Sequence, residues 1–169
     1  MTQDNNGRLL HWLIDAHAME KEAETMLQAQ ATRIVRYPEL RQRLELHVEE
    51  TREQARLLEE CIERLGGSTS TVKDAAAAAM SGTHAAFNAL MSDEVIKGMG
   101  ASYAFEHLEI ATYEALVVAA RSYGDSQTEA ACRRILEQER AMARWLAEHL
   151  EPTVLTFLGR DFAGAEAKR

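Results

Sequence analysis

Apolar side chains recur every three to four residues through four long stretches of the chain, the period of a helix with one buried face. The first stretch covers residues 7–34, with Leu10, Leu13, Ala16, Ala23 and Leu27 on its stripe and the polar run "QDNN" ahead of it to cap exposed amides. The second covers 38–65. It opens on Pro38, which suits a first helical turn, and stops at Gly66-Gly67; its stripe is Leu40, Leu44, His47, Glu50 or Thr51, Gln54, Leu58 and Cys61. The third covers 93–123, with Val95, Met99, Ser102 or Tyr103, Glu106, Glu109 or Ile110, Tyr113 and Val117 inward, and Gly124 after it. The fourth covers 125–151, capped by Asp125 or Ser126, with Cys132, Ile135, Glu139, Met142, Leu146 and His149 inward. Pro152 is expected to end it and to leave 152–169 as a tail.

Residues 68–92 break this rhythm. "STSTVKDAAAAAM" followed by "SGTHAAFNALM" predicts two short helices interrupted near Gly82, in a connection far longer than a hairpin turn needs. Two helical hairpins joined by a long crossover make an all-α, ferritin-like four-helix bundle, one domain over 1–169.

Each long stretch also carries a glutamate in the middle of its apolar stripe: Glu20, Glu50, Glu106 with Glu109, and Glu139. Taken singly, any of these is a solvated surface residue on a shifted stripe. Taken together they share a level. Glu20 and Glu50 are 30 residues apart, and so are Glu109 and Glu139, as two equivalent antiparallel hairpins would place them. Residues three apart share a helical face, so Glu106 with Glu109, and His47 with Glu50, can reach inward together. Ionised carboxylates without partners cost several kcal/mol each to bury, and like charges brought close repel. A pair of metal ions would supply the missing positive charge. An oxygen-rich ligand set with few imidazoles suits two iron ions, or manganese, better than zinc. Metals of this kind can react with dioxygen or peroxide.

His47 reads either as a ligand or as a hydrogen-bonding neighbour of one. His17, three residues before Glu20, is a weaker ligand candidate. His107 faces away, and His11, His84 and His149 have no partners at metal spacing. Tyr103 and Tyr113 flank the carboxylate pair and are expected in the core, with a hydrogen bond to a ligand as the sharper alternative. Cys61 and Cys132 read as reduced core thiols. The formal net charge of −8, with arginines interleaved among glutamates, argues against a nucleic-acid partner. No apolar run approaches the roughly 18 residues that span a membrane, and "MTQDNNG" is no secretory signal, so a cytoplasmic protein is expected. There is no GxGxxG, P-loop or CxxC to suggest another chemistry.

"LIDAHAMEKEAETML" (13–27), "PELRQRLELHVEETREQARLLEECIERLG" (38–66) and "YAFEHLEIATYEAL" (103–116) resemble the conserved segments of the YciE/YciF family of ferritin-like stress proteins; "LEQERAMARWLAEHL" (136–150) is a looser match. The resemblance implies a rubrerythrin-like bundle with a di-metal site, a homodimer and a role in bacterial stress. By position it assigns the site to Glu20, Glu50, Glu106, Glu109 and Glu139, with His47 and Gln54 beside it. In that arrangement Glu50 or Glu139 bridges the metals and Glu20 and Glu106 are terminal. The chain also departs from the ferritin-like pattern. Two helices of such sites carry Glu-x-x-His, but Glu53 follows Glu50 and Met142 follows Glu139 at that spacing. Ala143 and His17 replace the family's aspartate and tyrosine. The alternative these departures raise is a non-catalytic, stress-associated structural protein with a degenerate metal site. True iron storage, a third option, requires a cage of many subunits.

Overall fold

A computed structural model describes residues 2–69 and 93–168, with side chains from residue 7 onward. Four helices follow one another: α1 (Thr2–Arg33), α2 (Pro38–Arg64), α3 (Glu94–Ser122) and α4 (Ser126–Phe162). The two short helices expected within 68–92 fall almost wholly outside the described residues.

Local chemistry sets the helix ends. Pro38 sits in the first turn of α2, where its missing N–H costs nothing. Gly124, at φ +75°, reverses the chain after α3 in a conformation that other residues adopt only with strain. Asp125 then caps α4 by accepting from the Thr128 amide at 3.1 Å. Gly67 lets the chain leave α2 close against α1, for a Cβ there would come within 2.5 Å of Leu10 Cδ1. The result is two antiparallel hairpins, α1–α2 and α3–α4, packed side by side.

Two apolar clusters fill the bundle. One gathers Leu9, Leu13, Leu58, Ile62, Leu116 and Ile135; the other gathers Leu27, Ile34, Leu40, Leu44, Met99 and Leu146. Between them runs a band of buried polar side chains: Glu20, His47, Thr51, Gln54, Glu106, Glu109 and Glu139. The apolar clusters thus close off the polar band from both ends. The hairpins are also tied across the bundle by Ser102 donating to Gln30 Oε1 at 2.8 Å and by Arg33 paired with buried Glu94 at 2.6 Å.

Some expectations are corrected. The first helix begins at Thr2, so the "QDNN" run expected ahead of it as a cap lies inside it. The fourth helix does not stop at Pro152 but continues to Phe162, with the proline inside it. Proline cannot donate to the carbonyl four residues back and crowds it, yet tertiary contacts beyond it hold the helix. Phe157 packs on the second apolar cluster, the Arg160 guanidinium lies 5.7 Å from the centre of the Tyr37 ring, and the Tyr37 hydroxyl donates to the Ala167 carbonyl at 2.6 Å. Tyr103 departs too: it is an exposed residue edge-on to His107, not a core one, whereas Tyr113 is fully buried. No helix among the described residues is long and apolar enough to cross a membrane. Because Pro152 is itself exposed, Pro152→Ala is expected to stabilise the fold by about 1 kcal/mol or more, restoring a helical N–H at little packing cost. Urea unfolding measures it, and a loss of stability would show that the docking beyond position 152 depends on the proline.

Candidate metal centre

Helical spacing brings the inward carboxylates to one level. Glu20 on α1, Glu106 and Glu109 on α3, and Glu139 on α4 are each no more than 1% exposed, and His47 on α2 joins them at 1%. One ligand atom from each of His47, Glu106, Glu109 and Glu139 lies within 4.8 Å of all the others, a donor set that could hold a metal ion. Glu20 lies outside that tight group but within electrostatic reach of Glu139, Glu106 and His47. Glu50 is set apart as well. Its side chain is 25% exposed, and Oε2 accepts from Arg43 Nη1 at 3.0 Å and from His47 Nδ1 at 2.8 Å. His17 is buried near Glu20 in sequence but is not among the grouped ligands, and its Nδ1 has no partner.

His47 is the cation of this centre. Nδ1 faces Glu50, while Nε2 lies 3.2 Å from Glu106 Oε2 and 3.5 Å from Glu139 Oε2. Burial alone would lower its pKa, but hydrogen bonds to Glu106, Glu139 and Glu50 outweigh burial and hold it well above the usual imidazole range. One imidazolium cannot balance four carboxylates. Burial, reinforced by like charge nearby, pushes Glu20 and Glu109 well above the usual carboxylate range and Glu106 up to about 7.

Two neutral donors hold the carboxylates in place. The Tyr113 hydroxyl donates to Glu20 Oε1, from α3 to α1, and the Gln54 amide donates to Glu139 Oε1, from α2 to α4. Among the described residues, Glu20 Oε2 and Glu109 Oε1 are buried with no donor, while Glu106 Oε2 and Glu139 Oε2 share the single Nε2–H of His47 at 3.2 and 3.5 Å. These oxygens ask for a cation. Two divalent ions would carry four positive charges, matching the four buried carboxylates, so the residues present fit the metal pair that this fold class implies.

Known proteins share this fold. Residues 5–159 match the family model described as "Domain of unknown function (DUF892)". The chain belongs to that family. A crystal structure of a Xanthomonas campestris pv. campestris protein (XCC3681) is 51% identical, over 94% of this chain and 98% of that one, with a TM-score of 0.80. The Escherichia coli stress protein YciF superimposes with a TM-score of 0.70 at 20% identity, over 89% of this chain and 94% of its own. A Desulfovibrio desulfuricans bacterioferritin does so with a TM-score of 0.74 at 21% identity, over 89% and 82%. The DUF892 chain is therefore of the YciE/YciF kind, and its fold is the ferritin-like bundle with a buried His/Glu cluster compatible with a di-metal site.

Sequence reasoning missed Arg43 altogether, because an arginine on a charged helix reads as solvated; its position seven residues before Glu50, two turns along one face, was the available signal.

Two outcomes follow. Unfolded glutamates titrate near 4.5, whereas folded Glu106 keeps its proton to about pH 7, and Glu20 and Glu109 are shifted the same way. The folded state then binds more protons, so the metal-free protein loses stability as pH rises from about 4.5 to about 7. His47 adds to the loss, since its raised pKa contributes stability that is fully present below about 6.5 and disappears as pH rises through the folded value. Thermal unfolding of chelator-treated protein between pH 5 and 7.5 reads this, and a flat or rising profile contradicts the burial of these groups. Tyr113→Phe leaves Glu20 Oε1 without its donor and should cost about 1–3 kcal/mol in the same metal-free protein, measured by denaturant unfolding.

Proposed function

We propose that this DUF892 protein binds a pair of iron or manganese ions at the middle of its bundle and uses them in a protective reaction with dioxygen or peroxide. The observation that carries the reading is the buried carboxylate cluster on α1, α3 and α4, in which Glu20 Oε2 and Glu109 Oε1 have no donor among the described residues and Glu106 and Glu139 share one imidazole N–H. Burying ionised carboxylates unpaired costs several kcal/mol per ion. One imidazolium and two neutral donors leave much of that cost unmet for four carboxylates, on a scale where about 5–15 kcal/mol typically holds a whole domain together, so the arrangement makes sense with cations in it. His47 Nε2, Glu106, Glu109 and Glu139 would hold one ion, and Glu20 would extend the donor set toward the second. The bacterioferritin that shares the fold is described with a diiron site.

Bound iron or manganese supplies one-electron redox chemistry toward dioxygen or peroxide. The chain's own residues prepare the place for it. The apolar clusters at either end keep water out. Tyr113 and Gln54 fix one oxygen of Glu20 and Glu139 and leave the other facing the interior. The protons held by Glu106 and His47 must leave as metal enters, so binding is expected to release protons and to strengthen with rising pH.

The departures on α2 and α4 favour a second reading, a structural stress protein with a degenerate site. Met142 is fully buried where a second imidazole would stand, and Glu53 pairs with Arg56 at the surface instead of turning inward.

One set of measurements separates them. Metal analysis of protein from iron- or manganese-supplemented cells should give close to two ions per chain, falling in Glu106→Gln and Glu139→Gln. Metal in 100-fold excess over its dissociation constant should stabilise the fold by about 2.7 kcal/mol. Ferrous-loaded protein should consume dioxygen or peroxide. Two ions bound without such consumption favour the structural reading, and content well below one ion per chain removes the metal centre itself.

A further inference from the structure

Arg43, His47 and Glu50 lie on one face of α2, at intervals of four and three residues. A single atom joins them. Glu50 Oε2 accepts from Arg43 Nη1 at 3.0 Å and from His47 Nδ1 at 2.8 Å. The Arg43 side chain is only 12% exposed, and His47 is 1% exposed. On the far side of the imidazole ring, Nε2 faces Glu106 and Glu139. The order from rim to centre is therefore guanidinium, carboxylate, imidazole, inner carboxylates.

The geometry points to Arg43 and Glu50 as a positioning pair for His47, with Glu50 outside the metal's own ligand set. This rests on the reading that the centre binds metal, and it narrows that reading. Glu50 is absent from the group of ligand atoms lying within 4.8 Å of one another, although His47 beside it is a member. Turning Glu50 inward would break two charge-assisted hydrogen bonds at once. It would also strand a largely buried guanidinium and a buried imidazole N–H, the costliest kind of unpaired group. Left where it is, Glu50 does what a carboxylate behind a metal-bound histidine does: it accepts a hydrogen bond from Nδ1–H, which fixes the tautomer and aims Nε2 at the ion. Arg43 keeps Glu50 from rotating away. The pair matters more here than in a site with several imidazoles, because among the described residues His47 is the only histidine in the group.

The test uses the full chain and manganous ion alone. Binding is followed through the electron paramagnetic resonance of free Mn2+, and the nitrogen coupling of bound Mn2+ reports the imidazole. Glu50→Ala should bind as many ions as the parent chain, with one of them held about 10–100-fold more weakly. Glu50→Gln, whose amide oxygen can still accept from Nδ1–H, should recover much of that loss and keep the nitrogen coupling. Arg43→Met should weaken binding in the same direction as Glu50→Ala. If Glu50→Ala fails to fold, Glu50→Gln and Arg43→Met carry the comparison.

Fewer ions in both Glu50 variants would make Glu50 a ligand and overturn the inference while leaving the metal centre standing. Unchanged or tighter binding in Arg43→Met would overturn the role given to Arg43. A parent chain that binds no Mn2+ would overturn the metal reading, and this one with it.

Discussion

A carboxylate taken out of water forfeits several kcal/mol of hydration unless a proton or a cation takes water's place, and four of them meet inside this bundle between two apolar clusters. Much of the rest of the molecule can be understood as a response to that debt. His47 is held positive by three neighbours. Glu106, Glu20 and Glu109 are driven toward their protonated forms. Tyr113 and Gln54 each satisfy one oxygen from the opposite hairpin. Without a metal, the centre survives as a protonated cluster. With one, the same atoms would become its ligands, and protons would leave as it entered.

The two hairpins answer the constraint unequally. Glu20 and Glu109 are both buried at matching positions, yet their 30-residue counterparts behave differently: Glu139 is fully buried and Glu50 sits at the rim. Met142 packs into the second apolar cluster. A sequence that looks twofold in its spacing thus folds into a centre with one nitrogen donor, contributed by α2. The relatives with known structures fix the fold for this chain, but the asymmetry belongs to its own residues.

The spacing of glutamates and the rhythm of leucines made most of this legible beforehand. The inner helix boundaries, the two-hairpin arrangement and the inward turn of Glu20, Glu106, Glu109, Glu139 and His47 follow from period and register, which act locally along a helix; the start of α1 and the end of α4 do not. What the pattern could not supply depends on contacts between helices. Pro152 reads as a stop because its backbone cost is local, while Arg160 and Ala167, which help overrule it, both meet Tyr37, more than a hundred residues away. Tyr103 sits one position off the buried face occupied by Ser102, a difference finer than periodicity resolves. Arg43 looks like any solvated arginine until Glu50 is seen turned toward it.

The segment after α4 has a mechanical consequence. The Ala167 carbonyl receives the Tyr37 hydroxyl from the α1–α2 turn, and the Lys168 carbonyl receives the Val95 amide from the start of α3. Adjacent residues therefore grip both hairpins at the same end of the bundle, like a staple across a seam. A bulky label or fusion joined there would pull on that staple. The slackening would reach the bundle interior through Glu94, which Val95 neighbours and which Arg33 binds from α1.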